Sequence, residues 1–198
     1  MKSLKGTKTL ENLMKGFAGE SQARNRYTMY SKIASDEGYE QISEVFKLTA
    51  ENERAHAQVF FNHLNDGLQG EEFPYNVDIQ GGYPVGIGTT VENLQYAAKG
   101  EHEEHSDVYP SFAKIAEEEG FKAIAASFKM IGDIEAHHEH RFSELANNVQ
   151  NKSVFKRDEK EEWICRICGY IHTGESAPKI CPVCKATEAY FEVFNEKF

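Results

Sequence analysis

Cysteine is absent from the first 164 residues of this chain, and all four cysteines fall between Cys165 and Cys184. That distribution excludes a disulfide-stapled scaffold, which spreads its cysteines through the fold, and favours metal binding. Long apolar runs are missing too. No stretch reaches the roughly 20 apolar residues that a bilayer-crossing helix needs. The segment Met1 to Gly6 has no apolar run of the signal-peptide kind, so a cytoplasmic location is the expectation. Basic charge is in short supply, with 22 Lys and Arg against 32 Asp and Glu and a formal net charge of −10. A chain of that sign repels nucleic acid and anionic membrane, and neither is an expected partner. What remains is ordinary: 40% hydrophobic and 27% charged over 198 residues, enough for one domain and a small module.

Against this background one motif occurs twice. Glu53-Arg54-Ala55-His56 and Glu135-Ala136-His137-His138 both read Glu-x-x-His, and residues three apart on a helix point the same way. Both copies lie in an internal duplication. Residues 32–56 align without gaps on residues 114–138 with ten identities, among them Glu37/Glu119, Gly38/Gly120, Phe46/Phe128 and both members of each motif. Upstream, Gly19-Glu20 corresponds to Gly100-Glu101 with a one-residue offset. A repeat of this length is a helix–turn–helix unit, and two of them make four helices.

Hydrophobic periodicity agrees. The first helix presents Leu10, Leu13, Phe17, Glu20, Arg24 and Tyr27 on one face, and the second Ile42, Phe46, Thr49, Glu53, His56, Phe60 and Leu64. The third presents Leu94, Ala97, Glu101, Glu104, Val108, Phe112 and Ile115, and the fourth Ile124, Phe128, Ile131, Glu135, His138, Phe142 and Leu145. Gly38 and Gly120 are placed to end a helix in the left-handed conformation inside each repeat. Thr89 and Glu92 read as a capping box opening the third helix. Residues 67–88 hold six Gly and two Pro and form a long crossover between the hairpins. Pro110 is expected to kink or unwind the third helix.

Charged residues in mid-stripe are costly unless something pairs with them. Glu20, Glu53, His56, Glu101, Glu104, Glu135 and His138 together form a candidate site for two metal ions. Carboxylates can chelate or bridge iron, and imidazole adds neutral ligands that limit the total charge. Four glutamates and two histidines complete the usual set, which leaves Glu104 as a seventh ligand or a solvated carboxylate nearby. Tyr27 and Tyr109 lie close to the site, either as hydrogen-bond donors to the ligands or as core aromatics. Glu103, His102, His105, His137 and His140 are expected on the surface.

After the fourth helix comes a polar segment, then Trp163-Ile164-Cys165-Arg166-Ile167-Cys168-Gly169-Tyr170 and Cys181-Pro182-Val183-Cys184. Two Cys-x-x-Cys pairs supply four thiolates at the corners of a tetrahedron, which by themselves accept iron or zinc. The run Cys-x-x-Cys-Gly-Tyr followed by Cys-Pro-x-Cys resembles rubredoxin, which implies one redox-active iron. Lys185 stands where rubredoxins usually have glycine, a departure that bears on the amide–sulfur hydrogen bonds.

With the duplicated Glu-x-x-His bundle followed by a rubredoxin-like tail, the chain resembles the rubrerythrins along its whole length. The fold so implied is mainly α: a ferritin-like diiron four-helix bundle over residues 1–148, a linker over 149–162, and a small rubredoxin-like iron–tetrathiolate domain over 163–198. The resemblance implies a non-haem peroxidase that reduces hydrogen peroxide to water in oxidative-stress defence. It implies two irons in the bundle, on Glu20, Glu53, Glu101, Glu104, Glu135 and His138, and one on Cys165, Cys168, Cys181 and Cys184. It also implies that Glu104 and His56 alternate as ligands to one iron, that Tyr27 assists, and that a reductase or rubredoxin supplies electrons. A head-to-tail homodimer is implied as well, the tail of one subunit serving the bundle of the other. Two rival readings are a ferroxidase or iron-storage protein and a non-enzymatic protein with structural zinc in both sites.

Overall fold

The computed structural model describes residues 2–196. Met1, Lys197 and Phe198, which the expected domains 1–148 and 163–198 include, lie outside the described residues. Four long helical elements form two antiparallel hairpins. Helix α1 (Lys8–Asp36) packs on α2 (Glu40–Gly67), and α5 (Lys122–Gln150) packs on a composite third element made of α3 (Thr90–Glu103), a π-helical segment (Glu104–Val108) and α4 (Tyr109–Glu118). The turns within each hairpin match the repeat. Gly38 and Gly120 have φ of +84° and +83°, and the amides of Tyr39 and Phe121 close each helix end onto Ala34 and Ala116. A side chain other than glycine's strains in that conformation.

The duplicated glutamates beside those glycines tie the two hairpins together. Glu119 accepts from the amides of Lys8 and Thr9 at 3.0 and 2.8 Å, and Glu37 accepts from the amide of Thr90 at 3.0 Å. Each hairpin's turn therefore caps the first helix of the other, where unpaired amides and the helix dipole favour a carboxylate. Burial pushes the Glu119 carboxyl up, but the Thr9 hydroxyl and the two amides hold it below its ordinary 4.5. A depressed carboxylate stabilises the fold above its unfolded pKa and loses that contribution as pH falls through its folded one. Glu119→Ala is expected to cost about 1–2 kcal/mol in urea unfolding at neutral pH, and the difference from wild type should shrink below about pH 4.

The π-helical segment explains the one-residue offset between the repeats. Glu20 and Tyr27 are seven residues apart, whereas their counterparts Glu101 and Tyr109 are eight apart. The amide of Tyr109 reaches back to the carbonyl of Glu104, five residues earlier, which absorbs the extra residue. Pro110, without an N–H to donate, stands just after this widened turn and opens α4. One expectation is corrected here. Beyond the bulge the interior residues are Tyr109, Ala113 and Ala116, while Val108, Phe112 and Ile115 are only half-buried. The inserted residue advances the inward face by one position, and a uniform 3.6-residue period misses that. Arg24 is corrected too: it is exposed near Glu51, and Ala23 takes the interior place. A guanidinium is costly to bury inside the bundle and stays in solvent, while the small Ala23 packs in the aromatic cluster with Tyr27 and Phe46.

Two aromatic clusters related by the repeat fill the bundle on either side of its centre. Tyr27, Phe46 and Phe142 pack with ring centroids 5.1–6.1 Å apart, and Tyr109, Phe128 and Phe60 with centroids 5.0–5.9 Å apart. Phe46 and Phe60 each lie seven residues from Glu53, about 10 Å along α2.

The tail is a three-stranded antiparallel sheet in the order β2–β1–β3, with β1 at Lys156–Cys165, β2 at Ile171–Ser176 and β3 at Phe191–Val193. Trp163, Phe191, Cys165 and Cys181 form its core. The segment 149–162, expected as a linker, contains the end of α5 and most of β1. Phe155 stacks on Tyr39 at 6.0 Å, which seats the tail against the α1–α2 turn.

Candidate metal centres

Helical spacing delivers six of the seven bundle candidates to one point. Glu20, Glu53, His56 and Glu135 bring ligand atoms within 4.8 Å of one another, as do Glu53, Glu101, Glu135 and His138. The two groups share Glu53 and Glu135, so the arrangement offers two adjacent metal positions joined by two carboxylates. Glu20 and His56 terminate one position, and Glu101 and His138 the other. All six are buried.

Apart from a His56 Nδ1–Glu53 Oε2 hydrogen bond at 3.1 Å, the clustered nitrogens and oxygens sit as ligands rather than as hydrogen-bond partners of one another. Glu135 Oε1 lies 2.9 Å from His56 Nδ1, and Glu135 Oε2 lies 2.7 Å from His138 Nδ1. Even so, both Glu135 oxygens, His138 Nδ1, Glu20 Oε2, Glu53 Oε1 and Glu101 Oε2 have no hydrogen-bond partner. Donor groups aimed at a common point about 2.1 Å away fall about 3 Å apart without pointing at each other. Buried orphaned lone pairs are costly, and a pair of cations satisfies all of them.

Electrostatics lead to the same conclusion. Burial and the surrounding carboxylates hold Glu20, Glu101 and Glu104 well above the ordinary carboxylate range. Burial would raise Glu53 as well, but the imidazoles of His138 and His56 bring it to about 2. Burial would lower His56 and His138, yet Glu135 and Glu53 lift them to about 10 and about 9. Metal-free, the cluster holds itself together with protons. Divalent ions supply that positive charge instead, and the ligands release protons as the ions bind.

Tyrosines complete the pattern. The Tyr27 hydroxyl donates to Glu101 Oε1 at 2.6 Å, and the Tyr109 hydroxyl donates to Glu20 Oε1. Each terminal carboxylate is thus held by a phenol from the opposite hairpin. Tyr27 and Tyr109 are 82 residues apart, the same spacing as the two Glu-x-x-His motifs, a regularity in the sequence that matches their equivalent roles.

Glu104 stands apart. It belongs to neither convergent group and lines a cavity of about 200 Å³ with Gly19, Arg26, Tyr83, Tyr109 and Phe112. Tyr83, from the crossover, donates its hydroxyl to the carbonyl of Lys15 at 3.2 Å and forms part of the wall. Arg26 and Tyr83 were not anticipated: Arg26 lies on α1 outside the apolar stripe, and Tyr83 comes from an irregular crossover that leaves no periodic trace.

In the tail, Sγ–Sγ distances are 3.7 Å for both Cys165–Cys184 and Cys168–Cys181. A tetrahedron with metal–sulfur bonds of about 2.3 Å has edges of about 3.8 Å, so the four sulfurs fit a metal ion. Burial pushes the Cys181 thiol up, but the amides of Cys184 and Val183 draw it to about 7. The Tyr170 amide draws Cys168 down, yet burial and the three other sulfurs push it to about 12. A bound cation ionises all four. Lys185 adopts φ +65°, like Gly169 at +75°, and its amide donates to the carbonyl of Cys181. The lysine thus keeps the glycine-type turn, at a cost in backbone strain.

Over residues 11–146 the sequence matches the family model described as Rubrerythrin, and over residues 163–192 the one described as Rubrerythrin, rubredoxin-like domain. The chain belongs to the rubrerythrin family. It is 56% identical to rubrerythrin-1 of Clostridium acetobutylicum and 54% identical to the rubrerythrin of Clostridium perfringens, each alignment covering 100% of both chains. Among solved structures, partially reduced nigerythrin superposes with a TM-score of 0.63 at 31% identity, covering 98% of this chain and 92% of the other. The bundle thus carries a ferritin-like diiron site and the tail a rubredoxin-like four-cysteine iron site. No helix among the described residues is long and apolar enough to cross a membrane.

Proposed function

We propose that this rubrerythrin is a cytoplasmic peroxidase that reduces hydrogen peroxide to water in oxidative-stress defence. The observation that carries the reading is the pairing, in one chain, of a two-metal carboxylate site at a small cavity with a four-thiolate centre. When bound, the iron pair supplies both electrons that the O–O bond needs, and the four-thiolate iron returns them singly. Hydrogen peroxide takes two electrons and two protons and leaves as two waters, with no radical released.

The chain's own residues shape that reaction. Glu53 and Glu135 hold the two metal positions together, while Tyr27 and Tyr109 fix the outer oxygens of Glu101 and Glu20. The aromatic clusters above and below keep bulk water out and strengthen every charge interaction inside. Glu104 faces the cavity through which a peroxide would approach, and with His56 it is the pair that would hold one of the metal ions in turn. The tail rests on the α1–α2 turn, and Tyr39 there is 14 residues from Glu53, about 21 Å along α2. Electron transfer weakens steeply with distance, which favours a head-to-tail homodimer with each tail serving its partner's bundle. A reductase or rubredoxin would then feed the tail.

The test is to reduce the iron-loaded protein without oxygen, mix it with stoichiometric hydrogen peroxide or with O2, and follow the visible iron–thiolate band. Fast return with peroxide and slow return with O2 is the expected result. A response to O2 alone would replace this reading with a ferroxidase. Absence of the band would mean zinc in the tail and no internal relay.

A further inference from the structure

Away from the two iron centres, a third set of metal-ligating side chains converges on the surface. His102, His105 and Glu139 bring ligand atoms within 4.8 Å of one another. His102 Nδ1 lies 3.1 Å from Glu139 Oε1, and His105 Nε2 lies 2.5 Å from Glu139 Oε2. The two imidazole rings stand perpendicular with centroids 5.2 Å apart. Sequence position explains the convergence, since each of the three directly follows an inner candidate ligand: Glu101 and His102, Glu104 and His105, His138 and Glu139. Successive helical residues turn by about 100°. The backbone that aims three donors inward therefore aims three more outward, along the seam where the π-helical segment meets α5. Among the described residues, the ion-pair and side-chain hydrogen-bond partners of Glu139 are these two histidines alone.

We propose that His102, His105 and Glu139 form a separate, solvent-facing site for a hydrated divalent transition-metal ion such as Fe(II) or Zn(II). Two imidazoles and one carboxylate on one side of an ion, with water in the remaining positions, is a recognised binding arrangement for these metals. Imidazole donors select against Mg(II) and Ca(II), which take oxygen ligands. Two neutral ligands and one anionic ligand match a dication, and the chain's net charge of −10 raises the local concentration of cations. The site differs in kind from the inner pair: it is open to water, lacks a bridging carboxylate, and accepts one ion. The proposal does not depend on the peroxidase reading.

The test titrates the protein, with its iron centres loaded, with Zn(II) in chelator-free buffer. Bound metals are counted by elemental analysis after gel filtration, and zinc is located in crystals by anomalous scattering. Wild type should bind one zinc per chain that the His102→Ala/His105→Ala variant does not, with iron content unchanged. His102→Ala alone should weaken binding by at least about 10-fold, since even an outer partner of a metal ligand is worth 10–100-fold. Glu139→Gln, which preserves side-chain shape, should weaken it comparably and guards against a folding artefact. Equal zinc uptake by wild type and the double variant would overturn the site. So would anomalous density away from the trio, or zinc bound only in exchange for lost iron.

Discussion

Replacing Cys184 with serine should stop donor-driven peroxide turnover while sparing the single reaction of pre-reduced protein with peroxide. Cys184 Sγ is one corner of the sulfur tetrahedron, 3.7 Å from Cys165 Sγ, and none of the inner bundle ligands lies near it in sequence. A hydroxyl at that corner is a harder, poorly ionised donor, which disfavours iron and shifts any potential that survives. Even an outer partner of a metal ligand is worth about 10–100-fold, so losing a ligand should cost about 100-fold or more in steady-state rate. Steady-state turnover with an electron donor and single-turnover mixing of the reduced protein separate the two activities. Full donor-driven activity in the variant would rule the tail out as the relay, and loss of both activities would show that the substitution had reached the bundle.

That experiment treats bundle and tail as separable, and the sequence already marks them so. The Cys-x-x-Cys pairs and the doubled Glu-x-x-His are local patterns whose geometry follows from helix and turn periodicity, which is why six of the seven bundle candidates converge where the sequence places them. Tyr109 was half legible. Its 82-residue spacing from Tyr27 matched the repeat, but only packing shows that each phenol crosses to the other hairpin's carboxylate. The π-helical segment was present as an offset of one residue, yet a uniform period carried the predicted stripe through Val108 and Phe112 when the chain had already turned to Tyr109 and Ala113. Arg24 and Ala23 are adjacent in sequence, and which of them faces inward depends on the packing of the aromatic cluster that Ala23 joins. The cavity wall of Tyr83 and Arg26, and the meeting of His102 with Glu139, depend on how a loop or a second helix is placed. Long-range placement of that kind leaves no short-range signature.

Glu104, at the start of the same bulge, has no carboxylate counterpart in the first repeat. Aligned by either offset, its position in α1 is Gln22 or Ala23, so the duplication supplies the six converging side chains symmetrically and leaves a carboxylate at the cavity on one side only. Glu104→Ala should therefore leave the shared Glu53 and Glu135 and the four terminal ligands in place and retain both bundle irons. Peroxide turnover should nevertheless fall by about 10–100-fold, the usual scale for a partner that tunes a metal site without holding it. Glu104→Gln preserves volume at the cavity wall and distinguishes loss of a carboxylate from a change in cavity shape. Iron analysis and peroxide-driven turnover together decide the matter. Unchanged turnover would remove Glu104 from the reaction and end the case for its exchange with His56. Loss of iron would instead make it a permanent ligand, and the asymmetry between the two halves would then lie in metal retention rather than in turnover.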